Sequence, residues 1–138
     1  MIEFKNSADV NKKVLIVDDD EGLRDSLKLR FQIAGFNTIA VESGDLAIEV
    51  VKDNDFLLVL SDIAMPDMDG FELFKALKEL KPSLPVILMT AFGYDPNHTI
   101  IKASKLGLHK WIAKPIKDEV LEDIYRTATM FYDMRESE

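Results

Sequence analysis

Short apolar runs alternate with amphipathic stretches along the chain. The five runs cover residues 14–17, 38–41, 56–60, 86–89 and 110–113. Four of them are continuous, or nearly so, and rich in branched side chains, which is typical of strands buried on both faces of a parallel sheet. The pattern therefore predicts five strands.

The stretches between and after the runs predict five helices, because their apolar positions recur every three or four residues. These stripes cover residues 23–34, 46–51, 71–80, 100–106 and 120–132. Ser43 precedes the second stripe as a helix-starting residue, and Gly35 and Gly107 follow the first and fourth, where helices end. Five alternations of strand and helix predict right-handed βαβ units in an α/β fold, a three-layer α/β/α sandwich.

Polar residues follow four of the runs, at the edge where a parallel sheet presents the carboxyl ends of its strands. They are Asp18, Asp19 and Asp20 after the first run, Asp62 after the third, Thr90 after the fourth and Lys114 after the fifth. Ligands of open α/β sheets bind at that edge. Each residue alone has an ordinary explanation as a turn or helix-capping residue, but their shared position predicts one pocket.

The residue types in this pocket suit magnesium and a phosphoryl group. Clustered carboxylates repel one another, and a hard divalent cation relieves that repulsion. An all-oxygen ligand set favours Mg2+ over zinc. The Lys114 ammonium and the Thr90 hydroxyl can contact the remaining phosphoryl oxygens. Asp62, alone after the third run, is the predicted nucleophile that forms an acyl phosphate.

Four segments in order carry a family resemblance: residues 14–20 (VLIVDDD), 60–70 (LSDIAMPDMDG), 89–91 (MTA) and Lys114-Pro115. Together they resemble the receiver domain of response regulators in bacterial two-component signalling, over roughly residues 12–132. The resemblance implies a flavodoxin-like (βα)5 fold with parallel sheet order 2-1-3-4-5. It also implies a phosphorylation-switched signalling protein, not an enzyme that turns over an outside substrate. A cytoplasmic location is expected from the polar N-terminal segment and from the lack of a membrane-length apolar run.

The resemblance further implies a role for each site residue. Asp62 would accept a phosphoryl group from the phosphohistidine of a sensor histidine kinase or a phosphotransfer protein. Mg2+ would be held by Asp18, Asp19, Asp62 and the backbone carbonyl of Ala64, with Asp19 binding directly and Asp18 largely through water. Lys114 would pair with the phosphoryl oxygens.

Phosphorylation would act on a switch formed by Thr90 and Trp111. The phosphoryl group adds about two negative charges, which would draw in Thr90 and let Trp111 turn inward. Helix 4, strand 5 and helix 5 would then present a changed face to a downstream protein or a fused output domain, and the resemblance also allows a homodimer through that face. An alternative interpretation of Trp111 is a half-buried core aromatic. The resemblance finally implies a cis Lys114-Pro115 bond.

Two positions depart from the commonest family pattern. Ala64 and Phe92 lie where the family tunes how water reaches the acyl phosphate. A small apolar residue beside a bulky aromatic one would shield that bond, so we expect a long-lived phosphoryl state. Near these positions, we expect His98 at the surface, His109 in a loop, and Pro96 at the start of the fourth helix.

Composition narrows the function further. The chain has 138 residues, 47% of them hydrophobic and 30% charged, which fits one domain with a buried core. We expect a receiver domain over residues 12–134 with polar tails at 1–11 and 135–138, either standing alone or as the first domain of a longer regulator.

The net charge of −8 argues against direct binding to nucleic acid or an anionic membrane. The absence of cysteine excludes disulfides and thiolate zinc sites, and no apolar run is long enough for a membrane span.

Two other functions compete with the switched receiver. A magnesium phosphatase with an aspartate nucleophile would use residues 67–70 (DMDG), but Pro66 separates them from the strand and Phe71 replaces the usual Thr or Val. The same segment lacks the ligands of an EF-hand, and the chain has no Walker motif. A receiver-like binding module that works without phosphate is the remaining alternative. Reaction with a phosphodonor discriminates among the three.

Overall fold

Five parallel strands form one sheet in the part of the chain that this computed structural model describes, residues 9–91, 95, 98–108 and 110–137. The strands are β1 (Asp9–Val17), β2 (Phe36–Val41), β3 (Leu58–Asp62), β4 (Val86–Ala91) and β5 (Lys110–Lys114). Every neighbouring pair is parallel, and the order β2-β1-β3-β4-β5 confirms the predicted flavodoxin-like topology. β3 therefore lies at the centre of the sheet.

Five helices connect the strands or follow the last one within these residues. They are α1 (Glu21–Ile33), α2 (Gly44–Asp53), α3 (Gly70–Leu80), α4 (Thr99–Lys105) and α5 (Asp118–Glu136). Asp20, Ser43 and Asp69 start α1, α2 and α3, since each side chain accepts a hydrogen bond from a backbone N–H three residues further on. Gly35 and Gly107, with φ of 104° and 102°, follow α1 and α4 in the left-handed conformation that glycine favours. No helix of the described residues is long and apolar enough to cross a membrane.

The two faces of the sheet carry separate hydrophobic cores because successive strand side chains point to opposite sides. Val14 and Ile16 of β1 pack with α1 and α5 on one face, while Leu15 and Val17 pack with α2, α3 and α4 on the other. All five residues of β3 are buried. Each fully buried branched or aromatic side chain contributes about 1.5–3 kcal/mol. This double burial holds the central strand, and the residue at its end, rigidly in place.

Element boundaries differ from the sequence pattern at three points. β1 begins at Asp9, five residues before the apolar run, and pairs with β2 through a register irregularity. β3 begins at Leu58, although Phe56 is also buried. α5 continues to Glu136, past the expected boundary at residue 134, and Arg135 Nη2 donates to the carbonyl oxygen of Phe56 at 2.8 Å. The division of the chain into one domain and two tails stays a prediction.

Candidate functional site

The carboxyl ends of β1, β3, β4 and β5 bring the predicted polar residues to one edge of the sheet. Asp62 and Lys114 are the last residues of β3 and β5, and Thr90 is the last but one of β4. Asp18 follows β1 directly and extends its pairing with β2, because its N–H donates to the carbonyl oxygen of Val41 at 3.1 Å. The main chain thus positions four of the predicted side chains.

Three carboxylates converge at this edge. Asp18, Asp19 and Asp62 each offer an oxygen atom, and these oxygens lie within 4.8 Å of one another. Asp18 is fully buried and Asp62 is 7% exposed, whereas Asp19 faces solvent. Asp20 does not join them: its side chain accepts from the Leu23 N–H at 3.2 Å and caps α1. The run of three aspartates therefore divides between the cluster and a helix cap.

The Lys114 ammonium lies between two of these carboxylates. Its Nζ is 2.8 Å from Asp18 Oδ2 and 3.3 Å from Asp62 Oδ2. Burial lowers the pKa of Lys114, but its hydrogen bonds and ion pairs with Asp18 and Asp62 outweigh burial and leave that pKa raised. Lys114 is therefore a fixed positive charge at neutral pH, directed at the acidic cluster.

Asp62 experiences opposing influences. Burial raises the pKa of its carboxyl, the Lys114 charge lowers it, the nearby Asp18 charge raises it again, and the net pKa lies above the ordinary value. The Ala64 N–H donates to Asp62 Oδ1 at 3.4 Å. One ammonium does not neutralise three carboxylates. A hard divalent cation with oxygen ligands fits this donor set, so the residues present suit Mg2+.

Thr90 and Trp111, the predicted switch pair, lie in different environments. Thr90 is 5% exposed, and its Oγ1 donates to the carbonyl oxygen of Ala91 at 3.1 Å. Trp111 is 51% exposed and belongs to neither hydrophobic core of the described residues. The interpretation of Trp111 as a core aromatic is therefore not supported. The ring lies on the outside of β5, three residues before Lys114.

The structure describes two of the remaining predicted features. The Lys114-Pro115 bond is cis, as the resemblance implied, and His98 is exposed. Phe92, Pro96 and His109 lie outside the described residues.

Sequence reasoning missed a contact that supports the acidic cluster. Arg24 Nη1 donates to the main-chain oxygen of Asp18 at 2.9 Å and so ties α1 to the residue that begins the acidic run. The only available signal was a basic residue six positions after Asp18, in the first turn of the following helix. That signal is too common to indicate a contact by itself.

A parallel sheet of this order, flanked by helices and carrying clustered carboxylates and one lysine at its carboxyl edge, defines a flavodoxin-like protein. The sequence model of the response regulator receiver domain matches residues 14–126. The chain belongs to this family, the receiver domains of two-component signalling. The acidic pocket is consistent with Mg2+ and a phosphoaspartate.

Known proteins resemble the chain in sequence and in structure. The transcriptional regulatory protein GlrR of Escherichia coli K12 is 35% identical over 108 residues, which are 78% of this chain and 24% of GlrR, so the chain spans about a quarter of that relative. A CheY-like receiver domain protein from Methanospirillum hungatei JF-1 superimposes with a TM-score of 0.79 at 28% identity, covering 89% of this chain and 98% of that one. The response regulator TrrA from Thermotoga maritima, solved in complex with Mg2+-BeF, gives a TM-score of 0.72 at 27% identity, covering 84% and 98%.

Proposed function

We propose that the chain is a phosphorylation-switched receiver in which Asp62 accepts a phosphoryl group from the phosphohistidine of a sensor histidine kinase or phosphotransfer protein. The observation that carries the proposal is the position of the Asp62 carboxylate. It sits at the end of the central strand, with the Lys114 ammonium at 3.3 Å and the oxygens of Asp18 and Asp19 within 4.8 Å. A nucleophile, a fixed cation and a cation-competent acidic pair are the groups that phosphoryl transfer needs.

The transfer follows from this arrangement. A carboxylate oxygen of Asp62 forms a bond to phosphorus while the phosphorus–nitrogen bond of the donor histidine breaks, and the leaving imidazole nitrogen takes up a proton. Lys114 stabilises the negative charge on the phosphoryl oxygens. Asp18, Asp19, Asp62 and the Ala64 carbonyl would hold Mg2+, which neutralises further phosphoryl charge when bound. The product is an aspartyl phosphate on the chain itself, so we expect no turnover of an outside substrate.

The signal would leave through a face made of α4, β5 and α5, here called the signalling face. Three apolar side chains are exposed on it, Ile101 of α4, Leu106 directly after α4 and Trp111 of β5, at 58%, 52% and 51% of their surfaces. Movement of Thr90 toward the phosphoryl group would free space for Trp111 to turn inward and remodel this face. We propose a downstream protein or a fused output domain as its partner, with a homodimer as a further arrangement, and a cytoplasmic location for the reaction.

Intact-mass measurement tests the proposal. The protein is incubated with acetyl phosphate and Mg2+, quenched in cold acid and weighed beside Asp62→Asn. We expect one added phosphoryl group on the unmodified chain, and none on the variant or without Mg2+. Asp19→Asn serves as a partial control, since it keeps the nucleophile and removes the charge of one metal ligand, and should slow the reaction without abolishing it.

Two results would redirect the interpretation. An adduct that persists in Asp62→Asn would place the acceptor elsewhere. No adduct from either acetyl phosphate or a panel of phosphorylated histidine kinases would favour a binding module that works without phosphate. Slow loss of the adduct would agree with the expected shielding at Ala64, whereas rapid loss would contradict it.

A further inference from the structure

The loop between β3 and α3, residues 63–69, is closed at its base by its own backbone. The Gly70 N–H donates to the carbonyl oxygen of Ile63 at 2.8 Å. A Cβ atom at Gly70 would lie 2.6 Å from the Cα of Ile63, so only glycine allows this approach. The Ile63 N–H in turn donates to the Met89 carbonyl of β4 at 3.0 Å. The start of the loop is thereby tied to the sheet and to α3.

A second attachment, here called the loop latch, holds the tip of the same loop against α2. Asp67 Oδ1 accepts from the Gly44 N–H at 3.3 Å, and Asp67 Oδ2 accepts from the Asp45 N–H at 3.1 Å. The first N–H groups of a helix have no partner within it. The helix's own cap, Ser43, accepts instead from the N–H of Leu46, which leaves the first two N–H groups for Asp67.

Packing reinforces the hydrogen bonds of the loop latch. The side chain of Met68 lies against Gly44 so closely that a Cβ atom there would be 2.9 Å from its Sδ and 3.1 Å from its Cβ. Met68 also packs against the core on the α2, α3 and α4 side of the sheet. The loop tip is thus fixed by a polar and an apolar contact at the same point of α2.

We propose that Asp67 is a positioning residue for Mg2+ binding, acting through the loop latch on the loop that contains Ala64. The inference rests on the proposed function, which uses the Ala64 carbonyl as a metal ligand. Ala64 directly follows the tied Ile63 and precedes the latched tip by three residues. Fixing this backbone before the ion arrives removes a conformational entropy cost from binding. Asp67 contacts the amides of α2 and so acts through the main chain.

A magnesium titration followed by two-dimensional 1H–15N NMR tests the proposal. We expect Asp67→Ala to raise the Kd for Mg2+ about tenfold, at the lower end of the effects seen for groups that orient metal ligands. Asp67→Asn keeps one of the two acceptor oxygens but turns an NH2 donor toward the second N–H, so we expect a smaller rise in the Kd, of about threefold. Glu42→Ala, a matched control, removes one exposed acid from the same edge of the sheet without touching the loop latch.

A second variant tests the loop latch without changing its charge. Gly44→Ala displaces Met68, and we expect it to raise the Kd for Mg2+ in the same direction as Asp67→Ala. In the acetyl phosphate reaction, both variants should need more Mg2+ for half-maximal rate and reach the unmodified rate at saturation. If the variants only weakened folding, the melting temperature would fall. The Mg2+ concentration for half-maximal rate would then not rise independently of the rate at saturation.

Three results would overturn the proposal. One is an unchanged Kd for Mg2+ in Asp67→Ala and Gly44→Ala. Another is an equal loss in Asp67→Asn, Asp67→Ala and Glu42→Ala, which would assign the effect to charge alone. The third is no Mg2+ binding by the unmodified chain. If the chain binds Mg2+ but accepts no phosphoryl group, the proposed function fails while the NMR titration still decides the role of Asp67.

Discussion

At the scale of single residues, the acidic cluster opposes folding, because the folded chain brings carboxylates of like charge close together. Asp18 and Asp62 are buried together, and Lys114 contacts both carboxylates, at 2.8 Å and 3.3 Å. The shorter contact belongs to Asp18, which also accepts a hydrogen bond from the Asp20 N–H at 2.9 Å. Lys114 therefore offsets the negative charge of Asp62 less than that of Asp18. Its raised pKa means that holding the ionised carboxyl in the fold costs free energy.

Replacing Asp62 by Asn should therefore stabilise the magnesium-free protein at neutral pH. We expect a gain of about 1 kcal/mol in the free energy of unfolding, the size of a typical single substitution but opposite in sign to most. Asn has nearly the same shape, carries no charge and leaves the Lys114–Asp18 pair intact. Urea unfolding in EDTA, followed by circular dichroism, measures the difference.

The pH dependence of this gain has a definite sign. Below the ordinary value of 3.8, the Asp62 carboxyl is protonated in both states, and the gain should vanish. Above it, the unfolded chain releases the proton before the folded chain does. The free energy of unfolding of the unmodified protein therefore falls as the pH rises through the raised pKa of the folded state, and the gain from Asn appears over the same range. Asp19→Asn is the matched control, because that carboxylate is exposed and its loss should change stability less. A gain that is the same at pH 3 and pH 7 would contradict this explanation.

At the scale of elements, the start of α3 controls how the loop of residues 63–69 is folded. Gly70 is the first residue of the helix, and it touches the backbone of Ile63, the residue after Asp62. A Cβ atom at residue 70 would meet the main-chain Cα and carbonyl oxygen of Ile63, which cannot rotate away as the end of a side chain can. The end of β3 and the beginning of α3 can therefore adopt this arrangement only if residue 70 is glycine.

Gly70→Ala should lower the free energy of unfolding by about 2–3 kcal/mol, the usual cost of overpacking a well-packed region. Gly22→Ala is the matched control. Its Cβ atom would make an ordinary 3.5 Å contact with Asp20 Oδ1, and alanine favours the helix by about 0.5–1 kcal/mol over glycine. Denaturant titrations of both variants decide the matter, and a Gly70→Ala protein as stable as Gly22→Ala would show that the backbone yields after all.

The elements were predictable from the sequence and several of their contacts were not. Strands buried on both faces leave an unbroken apolar run, so the sheet order and the edge that carries Asp62 and Lys114 follow from pattern and resemblance together. Whether an aspartate joins the cluster or caps a helix depends on the local turn, and the pattern alone could not separate Asp20 from Asp18. Asp67 binds amides 22 and 23 residues away, and no periodic signal marks such a contact.

At the scale of the whole molecule, β5 links the site to the surface. Lys114 at its end faces the carboxylates, and Trp111 three residues earlier lies half exposed on the signalling face. Beside Trp111, Lys110 pairs with Asp123 of α5 at 2.6 Å, which connects the strand to the neighbouring helix. A structural change at the carboxyl end of the sheet can therefore be transmitted to this face through β5 alone. This transmission requires that the Trp111 ring can adopt an inward position.

Trp111 is the only tryptophan of the chain, so its fluorescence reports on that movement directly. On phosphorylation in the presence of Mg2+, we expect the emission to shift to shorter wavelength. The acrylamide quenching constant should fall by about half, since a half-exposed ring would move into an apolar environment. Thr90→Ala should still form the mass adduct at Asp62 but lose the fluorescence change, because in the proposed switch the threonine couples the phosphoryl group to the ring. Asp62→Asn should show neither. A full adduct with unchanged emission and quenching would refute the inward turn of Trp111 and move the signalling change to another part of the face.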